Sequence, residues 1–593
     1  MVAQDRNDYT RVKKRMEMVF LIFLGAVLIV ALRLTYVQWI MSAQFVRMAE
    51  KMHGRTVEVD ARRGRIKDRN DSEIATDIIT NAITINPRLV ASPAATAGRL
   101  AELLGVDVDE RNAMRERIER SRQRFYCKLR RGVDRKVAAK ILAAAKTDPA
   151  LRGLALENTP ARVNPAGGDG LQLIGSVNID GTGIEAIEKY CDSVLRGRNG
   201  ERRIRVSGTG APIPESETRV VEPVDGRDVR LTIDQDIQHF AEVELAKVAK
   251  AQSPDAATAI VLDVRNGDVL GMANWPTYQP KEKKVTPAQR RNRAVTDLYE
   301  PGSTFKVITA AAALEHDVRT GFHCAGSRTI GRRTVRCAHG SHGSVDLRKM
   351  IEVSCNLSAG ALAERVGPKG MHDFLDLFGF QKKTGIEFPG EEYATLQSPE
   401  KWATMRTVNI GFGQGLQITP IQLAAAYAAI GNDGVYNPPR LVLDAPGMDL
   451  PQRQPRRVMT SSNAAALRSY MEAVVVGSNG TGKAAKIPGY SVAGKTGTAQ
   501  IATSRGYGRG RLASFVGLVP AGKPRLAILV SVWHPRRGSY GGVFSAPVFR
   551  EIARQSVSYL GIEPDTPRDL RDGANTGTAA WKAHGGGGGG GHD

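Results

Sequence analysis

A long apolar run lies near the start of the chain and is interrupted by a single arginine. Residues 18–32 carry no charge, and residues 34–41 continue the run after Arg33. A stretch of this length can cross a bilayer as a helix of about 20 residues or more. The positive-inside tendency keeps the N-terminus in the cytoplasm, because a cluster of basic residues stands just before the run: Arg11, Lys13, Lys14 and Arg15. We expect a cytoplasmic tail over 1–17, a transmembrane helix over 18–41 in the inner (cytoplasmic) membrane, and an extracytoplasmic remainder.

The alternative is a cleaved signal peptide, for which Met41-Ser42-Ala43 offers a weak small-residue cleavage site. The apolar run is long for the core of a signal peptide, and this length favours a retained anchor. No comparable run follows in the sequence, so we expect a single membrane pass.

Composition limits the classes of partner. A length of 593 residues predicts two or three folded units, and a hydrophobic share of 42% suits globular domains with real cores. The net charge of +22 suits nucleic acid, an anionic lipid surface or an acidic polymer outside the cell. No zinc-finger, RNA-binding or homeodomain signature accompanies the arginines, so we expect no nucleic-acid partner.

Two folded units are predicted beyond the apolar run. Residues 57–223 alternate between strand-like and helical patterns without a catalytic constellation, which is typical of a pedestal or partner-binding domain. Residues 228–562 form the second unit, which starts with a strand, a helix over 234–250 and a hairpin around Asn266-Gly267. Residues 563–593 are rich in Pro, Gly and Asp and contain seven consecutive glycines, so they predict a disordered tail.

Cysteine usage leaves three possibilities open. Among five cysteines, Cys324 and Cys337 bracket a short stretch that contains turns. Outside the cytoplasm they could form a disulfide, worth about 3 kcal/mol if unstrained. Zinc is the rival, since His323, His339 and His342 lie close by, although the spacing fits no common zinc pattern. Disulfide, free thiols and metal are therefore all retained as alternatives.

A serine and a lysine at helical spacing stand in the second unit. Pro301-Gly302 is a turn signal, and the apolar helical pattern that follows predicts Ser303 as a helix cap. Lys306, three residues later, shares a helix face with Ser303. A serine hydroxyl is a poor nucleophile until a neighbour takes its proton, which an amine with a desolvation-lowered pKa can do. The pair is therefore a candidate nucleophile and base.

Two further motifs follow in the same unit. Ser354-Cys355-Asn356 precedes an alanine-rich helix over 357–366, so its Ser and Asn can both face a cleft. Lys495-Thr496-Gly497-Thr498 continues a strand-like segment. A glycine inside a strand indicates the close approach of another backbone, and the flanking Lys and Thr suit a carboxylate.

A glycine cluster over 411–415 lacks the spacing of a dinucleotide-binding loop. Thr419-Pro420-Ile421-Gln422 follows it and predicts a capping box with proline at the first helical position. We expect a structural helix start here and no nucleotide site.

The ordered set Ser-x-x-Lys, Ser-x-Asn and Lys-Thr-Gly is the signature of penicilloyl-serine transferases. The chain resembles a class B penicillin-binding protein from end to end, and residues 540–549 are most like those of the division-specific septal transpeptidases of the FtsI type. The resemblance also rests on these shorter motifs: Arg63-Gly64, Gly183-Ile184-Glu185, Arg293-Ala294-Val295, Tyr299-Glu300-Pro301-Gly302, Gly413-Gln414-Gly415 and Thr419-Pro420. Two departures lie in the pedestal, where Asp71 replaces a usual glycine and Asn164 a usual aromatic residue.

The resemblance implies an α+β multidomain fold. Its parts are a single N-terminal transmembrane helix, an elongated α/β pedestal of the dimerisation type and a C-terminal transpeptidase domain. The last would be β-lactamase-like, with an antiparallel sheet flanked by helices.

The resemblance also implies a role for each motif. Ser303 attacks the carbonyl between the two terminal D-alanines of a peptidoglycan stem peptide, with Lys306 as base. Ser354 relays a proton to the leaving amine while Asn356 holds the peptide amide. Lys495, Thr496, Gly497 and Thr498 bind the terminal carboxylate. The N–H groups of Ser303 and Thr498 form an oxyanion hole, each worth about 3 kcal/mol. The reaction needs no metal and no cofactor.

The implied partners are stem peptides ending in D-Ala-D-Ala, β-lactams, the membrane, a glycosyltransferase and other membrane proteins of the division machinery. The rival enzymes are an elongation-specific transpeptidase and a hydrolase, either a D,D-carboxypeptidase or a β-lactamase. A rival of another class is a non-catalytic division scaffold or a β-lactam sensor.

Overall fold

The computed structural model describes residues 2–205, 219–280, 282, 284–318, 321–338, 340–503, 506–536 and 541–566. Most of the predicted tail over 563–593, and His339, therefore lie outside the described residues. The described chain falls into two compact units. The first comprises Met1–Ala61 with Gly197–Asp225, and the second comprises Arg62–Arg196 with Gly226–Asp593.

The α-helices are numbered in chain order. They are α1 (Val2–Thr35), α2 (Ser42–His53), α3 (Pro93–Leu104), α4 (Val108–Arg120), α5 (Arg135–Ala144), α6 (Leu171–Ile174), α7 (Ala186–Tyr190), α8 (Asp192–Leu195), α9 (Gln235–Gln252), α10 (Pro287–Arg290), α11 (Arg293–Thr296), α12 (Lys306–Glu315), α13 (Leu347–Glu352), α14 (Asn356–Phe378), α15 (Thr404–Gly411), α16 (Pro420–Gly431), α17 (Ser461–Val476) and α18 (Gly541–Tyr559). Shorter helical turns are Tyr36–Ile40, Pro87–Leu89, Pro149–Leu151, Gly302–Phe305, Pro399–Lys401 and Lys483–Ala485.

The strands are numbered in the same way. They are β1 (Gly54–Val59), β2 (Ile66–Lys67), β3 (Glu73–Ile85), β4 (Cys127–Val133), β5 (Leu154–Val163), β6 (Gly200–Arg205), β7 (Arg219–Val221), β8 (Val229–Leu231), β9 (Ala256–Asp263), β10 (Val269–Trp275), β11 (Phe322–Cys324), β12 (Ser327–Ile330), β13 (Arg333–Arg336), β14 (Gly343–Val345), β15 (Val435–Tyr436), β16 (Val442–Asp444), β17 (Arg456–Arg457), β18 (Ala493–Thr503), β19 (Gly506–Val519) and β20 (Leu526–Trp533).

The first compact unit carries the N-terminal helices and a small antiparallel sheet in the order β1-β6-β7. Its helical stretch Tyr9–Ile40 is the one segment among the described residues that is long and apolar enough to cross a bilayer. This stretch fits a single-pass membrane anchor, because a helix of that length spans the hydrocarbon core with its backbone hydrogen bonds satisfied internally.

The pedestal part of the second unit is built on the long strand β3, which pairs in antiparallel register with β4 and β5. Helices α3, α4 and α5 pack on this sheet and share an apolar core with it. The three helices and the strands beside them agree with the alternation of helical and strand-like patterns predicted over 57–223, and β4 separates α4 from α5. Asp71, at the usual glycine position, adopts a left-handed backbone with φ +65°, which is a conformation that Asp tolerates better than most residues.

Buried ion pairs fix the start of the pedestal. Arg63 Nε donates to a carboxylate oxygen of Glu188 at 2.6 Å, and its Nη1 donates to Asp192 at the same distance. Arg162 Nε donates to the second oxygen of Glu188 at 2.6 Å and also contacts Asp77. Charges this deeply buried cost several kcal/mol unless each is paired, so the set locks the Arg63-Gly64 segment in one geometry.

The C-terminal part of the second unit is organised around a five-stranded antiparallel sheet in the order β10-β9-β20-β19-β18. Every residue of β9 is buried, and successive side chains enter opposite apolar cores. Helices α9 and α18 cover one face, and α12 and α16 cover the other. The predicted antiparallel sheet flanked by helices is confirmed, as is the β9–β10 hairpin. The helix predicted over 234–250 is α9, which begins at Gln235, is capped by Asp234 and ends at Gln252.

Candidate active site

Ser303 lies in a tight helical turn, Gly302–Phe305, that leads into α12. The prediction that Ser303 caps the helix is wrong, because its side chain caps no backbone N–H at the start of α12. Thr304 Oγ1 instead bonds Pro301 O at 2.8 Å, and Tyr427 OH of α16 donates to Thr304 O at 2.7 Å. Tertiary contacts therefore hold the turn, and the Ser303 hydroxyl stays free of a capping role.

The glycine cluster over 411–415 packs against this turn and bonds it. Gly302 N donates to Gly413 O at 2.9 Å, and Gly415 N donates to Glu300 Oε1 at 2.9 Å. Gly413 has φ +80°, and a Cβ there would lie 2.1 Å from Gly302 O. No other residue fits so close an approach. The capping box of Thr419 and Gln422 is confirmed at the start of α16.

Lys306 is fully buried, and its amine contacts both serines of the motif set. Nζ lies 3.0 Å from Ser303 Oγ, 3.0 Å from Ser354 Oγ and 2.5 Å from Ser354 O. Burial lowers the pKa of Lys306 to about 8, against a smaller opposite effect of Cys355 and Cys337. A neutral amine at hydrogen-bond distance from a hydroxyl can accept its proton.

Ser354 stands between α13 and α14 and joins two motifs. Its backbone is left-handed, with φ +60°, a conformation that costs about 1–3 kcal/mol and needs support from its surroundings. Lys495 Nζ reaches Ser354 Oγ at 2.9 Å. Burial, and next the charge of Lys306, hold the pKa of Lys495 well below its usual value. Two amines thus share one hydroxyl, an arrangement in which protons can move between the motifs.

The Lys-Thr-Gly segment forms part of β18, the edge strand of the sheet. Thr496 Oγ1 bonds Thr481 Oγ1 at 2.8 Å, and Gly541 N donates to Thr498 Oγ1 at 3.3 Å. A Cβ on Gly497 would lie 2.2 Å from Ser514 Oγ and 2.9 Å from Thr304 Cγ2. The strand therefore packs directly against the Ser303 turn, as the glycine inside it indicated.

Asn356 is the first residue of α14 and lines the same cleft as Ser303 and Ser354. Its amide Nδ2 donates to Arg336 O at 2.9 Å. The structure therefore joins Ser303, Lys306, Ser354 and Lys495 by direct hydrogen bonds, whereas the recorded amide contact of Asn356 is to strand β13.

The cleft in front of Ser303 has a volume of about 1240 Å³. Sequence reasoning missed several residues of its wall, which come from three separate segments: Arg333, Thr334 and Arg336 of β13, Thr481 before β18, and Gly542 and Val543 of α18. Gly542 and Val543 belong to the 540–549 segment that carries the resemblance, but no role in the cleft was predicted for them. No local motif marks the other residues, because they reach the cleft only through the fold.

Comparison with known proteins identifies the family. A family model described as the penicillin-binding protein transpeptidase domain matches residues 257–554, and one described as the penicillin-binding protein dimerisation domain matches residues 58–231. The chain belongs to the penicillin-binding proteins. The two domains together identify it as a class B member with a transpeptidase domain.

Similar proteins cover most of this chain. Stage V sporulation protein D of Bacillus subtilis is 31% identical over 94% of this chain and 88% of its own length. Peptidoglycan D,D-transpeptidase FtsI of Escherichia coli is 31% identical over 90% of each chain. The crystal structure of penicillin-binding protein 3 of Mycobacterium tuberculosis in complex with aztreonam superposes with a TM-score of 0.66, at 27% identity, over 86% of this chain and 99% of that one.

Proposed function

We propose that this penicillin-binding protein is a serine D,D-transpeptidase that cross-links peptidoglycan stem peptides during septal wall synthesis. The observation that carries the proposal is the buried amine of Lys306, which lies 3.0 Å from both Ser303 Oγ and Ser354 Oγ, the hydroxyls of two serines that line the cleft. The name of the Escherichia coli relative supplies the substrate class.

In the proposed acylation step, neutral Lys306 takes the proton of Ser303 as Oγ attacks the carbonyl between two D-alanines. The C–N bond then breaks, an acyl-enzyme forms, and D-alanine leaves with the proton on its amine. Ser354 relays that proton, since its hydroxyl touches both Lys306 and Lys495. In the second step an amine of a neighbouring stem attacks the ester carbonyl and gives a proton to neutral Lys306. The bond between the carbonyl carbon and Ser303 Oγ then breaks, the cross-link closes, and Lys306 returns the proton to Ser303 Oγ.

The terminal carboxylate of the donor peptide is assigned to Lys495, Thr496, Gly497 and Thr498. These residues lie on the edge strand, beside the turn that carries the nucleophile. We assign the oxyanion hole to the N–H groups of Ser303 and Thr498. This is supported by the short separation of their chain segments, since a Cβ on Gly302 would lie 3.3 Å from Thr498 O. Asn356 binds the peptide amide after releasing Arg336 O.

The proposal also covers the location of the protein in the cell and its partners. The apolar helix anchors the protein in the inner membrane with 1–17 in the cytoplasm, and residues 57–223 and 228–562 act outside as pedestal and transpeptidase domains. A glycosyltransferase supplies the nascent strands, and membrane proteins of the division machinery are further partners. β-Lactams acylate Ser303 because they mimic the donor peptide.

The test is labelling by a fluorescent penicillin together with growth. Ser303→Ala abolishes labelling, while Ser461→Ala, at the start of α17 and outside the cleft lining, leaves it intact. Labelling of Ser303→Ala at the wild-type rate contradicts the choice of nucleophile. A mutant that cannot label yet supports growth at normal expression favours the scaffold, and rapid turnover of penicillin favours a hydrolase.

A fluorescent fusion tests the septal assignment. A midcell band during division supports it. Uniform lateral fluorescence supports an elongation enzyme instead and leaves the transpeptidase proposal unaffected.

A further inference from the structure

Three cysteines and a histidine converge beside the active site. Cys324, Cys337 and Cys355 are buried, His342 is half-buried, and one potential ligand atom from each lies within 4.8 Å of all the others. The Sγ atoms of Cys324 and Cys337 are 3.6 Å apart, as are those of Cys337 and Cys355. His342 Nδ1 lies 3.4 Å from Cys324 Sγ. His323, the other described histidine considered with these cysteines, is exposed and outside the cluster.

The three shortest of these separations, 3.4–3.6 Å, are close to the edges of a tetrahedral metal site. A tetrahedron with Zn–S of about 2.3 Å and Zn–N of about 2.0–2.1 Å has ligand–ligand edges of about 3.5–3.8 Å. A disulfide would join two sulfurs at about 2.05 Å and leave the third thiol and the imidazole unexplained. All three cysteines of the cluster are free. The buried Nε2 of His342 has no hydrogen-bond partner among the described residues. The position of the imidazole ring is therefore not explained by a hydrogen bond from Nε2.

We propose that Cys324, Cys337, His342 and Cys355 bind one Zn²⁺ in a closed Cys₃His site. Four protein ligands fill the tetrahedron and leave no position for water or substrate, so the metal is structural and takes no part in the acyl transfer. The zinc site goes beyond the proposed function, because the transpeptidase chemistry does not itself require a metal.

The ligands come from four separate points of the fold, and this is why their spacing resembles no compact zinc motif. Cys324 ends β11, Cys337 follows β13, His342 precedes β14, and Cys355 caps α14. Backbone bonds support this layout. Cys337 N donates to Gly326 O at 2.9 Å, and His342 N donates to Cys324 O at 3.2 Å. Cys355 Sγ accepts the N–H of Ser358 at 3.4 Å, a bond that suits a thiolate at a helix N-terminus.

The position of the zinc gives it a role in the active site. Cys324 and Cys337 bracket the β12–β13 hairpin, whose residues Arg333 and Arg336 line the cleft. Cys355 stands between Ser354, which contacts Lys306 and Lys495, and Asn356, which bonds the hairpin at Arg336 O. One ion thus ties the cleft wall to the Ser-x-Asn segment and holds the left-handed Ser354 backbone in place.

The first measurement is the metal content of the full chain, purified in detergent without chelators and analysed by inductively coupled plasma mass spectrometry. We expect one zinc per chain in the wild type and in the matched controls Cys127→Ser and Cys191→Ser, which remove buried thiols elsewhere. Cys337→Ser loses the zinc. Because that variant could fail to fold, His342→Cys serves as a second test, since a Cys₄ set keeps zinc. Cobalt bound in place of zinc gives thiolate charge-transfer absorption.

The second measurement is the rate of fluorescent-penicillin labelling of the wild type after chelation. A displacement of reacting groups on the order of 1 Å costs about 100-fold in rate, so we expect labelling at least about tenfold slower, restored by added Zn²⁺. Ser303→Ala does not label but keeps its zinc, so failure of the transpeptidase proposal and failure of the zinc proposal give different results.

Two outcomes overturn the proposal. One is a metal-free wild type whose intact mass under non-reducing conditions is lower by the hydrogens of two thiols, because the cysteines then form a disulfide. The other is Cys337→Ser with the same zinc content as the wild type.

Discussion

Raising the pH from 7 to 9 should accelerate acylation of Ser303, because the proposed base, Lys306, has a lowered pKa. Burial brings the pKa of Lys306 to about 8. A group with this pKa is neutral in about one-tenth of molecules at pH 7 and in about nine-tenths at pH 9. Only the neutral amine can take the Ser303 proton, so the rate should rise about tenfold across this interval and level off above it.

The assay is the second-order rate constant for labelling by a fluorescent penicillin, measured by rapid quench between pH 6 and about 10. Ser303→Ala provides the blank for non-specific labelling at alkaline pH. Lys306→Met removes the base and should lower the plateau by about 10²–10⁴-fold, leaving no rise near pH 8.

Lys483→Met is the matched control. Lys483 lines the same cleft, but its amine donates to Ser478 O and makes no recorded contact with the two serines. Its removal should leave both the midpoint and the plateau unchanged. A wild-type profile that is flat from pH 7 to 9, or a rise that persists in Lys306→Met, would refute the assignment of Lys306 as base.

Three further substitutions test the site and its support. Lys495→Met should slow acylation by about 10–100-fold, the worth of one charge-assisted hydrogen bond, and the loss should shrink for a penicillin ester that lacks the carboxylate. Gly413→Ala should lower the labelling rate and the melting temperature together, because a Cβ would lie 2.1 Å from Gly302 O; unchanged values would contradict the close packing. Ile308→Ala, in the fully buried face of α12, should lower the free energy of unfolding by about 2–5 kcal/mol in chemical denaturation, whereas Ile184→Ala at a half-exposed position should cost less than about 0.5 kcal/mol.

Local spacing predicted the contacts that are local in the chain. Ser303 and Lys306 are three residues apart in helical geometry, so their 3.0 Å contact follows from the helix itself. The cap assigned to Ser303 was wrong for the opposite reason. A cap preference describes an isolated helix end, whereas this turn is held by Gly413 and Tyr427, which come from distant segments. Tertiary contacts here override the local preference.

The wall of the cleft shows where sequence reasoning ends. Asn356 was predicted to face the cleft from its place beside Ser354, and it does line it. The partner of its amide could not be predicted, because Arg336 lies on a hairpin whose placement depends on contacts far along the chain. Hairpin register follows from local turn chemistry, but the position of a hairpin against another element does not.

The cysteines show the same limit, and they connect the fold to the chemistry. Known zinc motifs take their ligands from one or two adjacent turns, so Cys324, Cys337, His342 and Cys355 could not be recognised by spacing. One of them, Cys355, directly follows Ser354 and caps the helix that begins at Asn356. Ser354 holds a strained backbone between two buried amines, and strain of this kind persists only where the surroundings over-determine it. A metal bound to the next residue, Cys355, would supply that constraint. In this proposal the zinc site therefore holds the backbone of Ser354, the serine to which the proton relay is assigned.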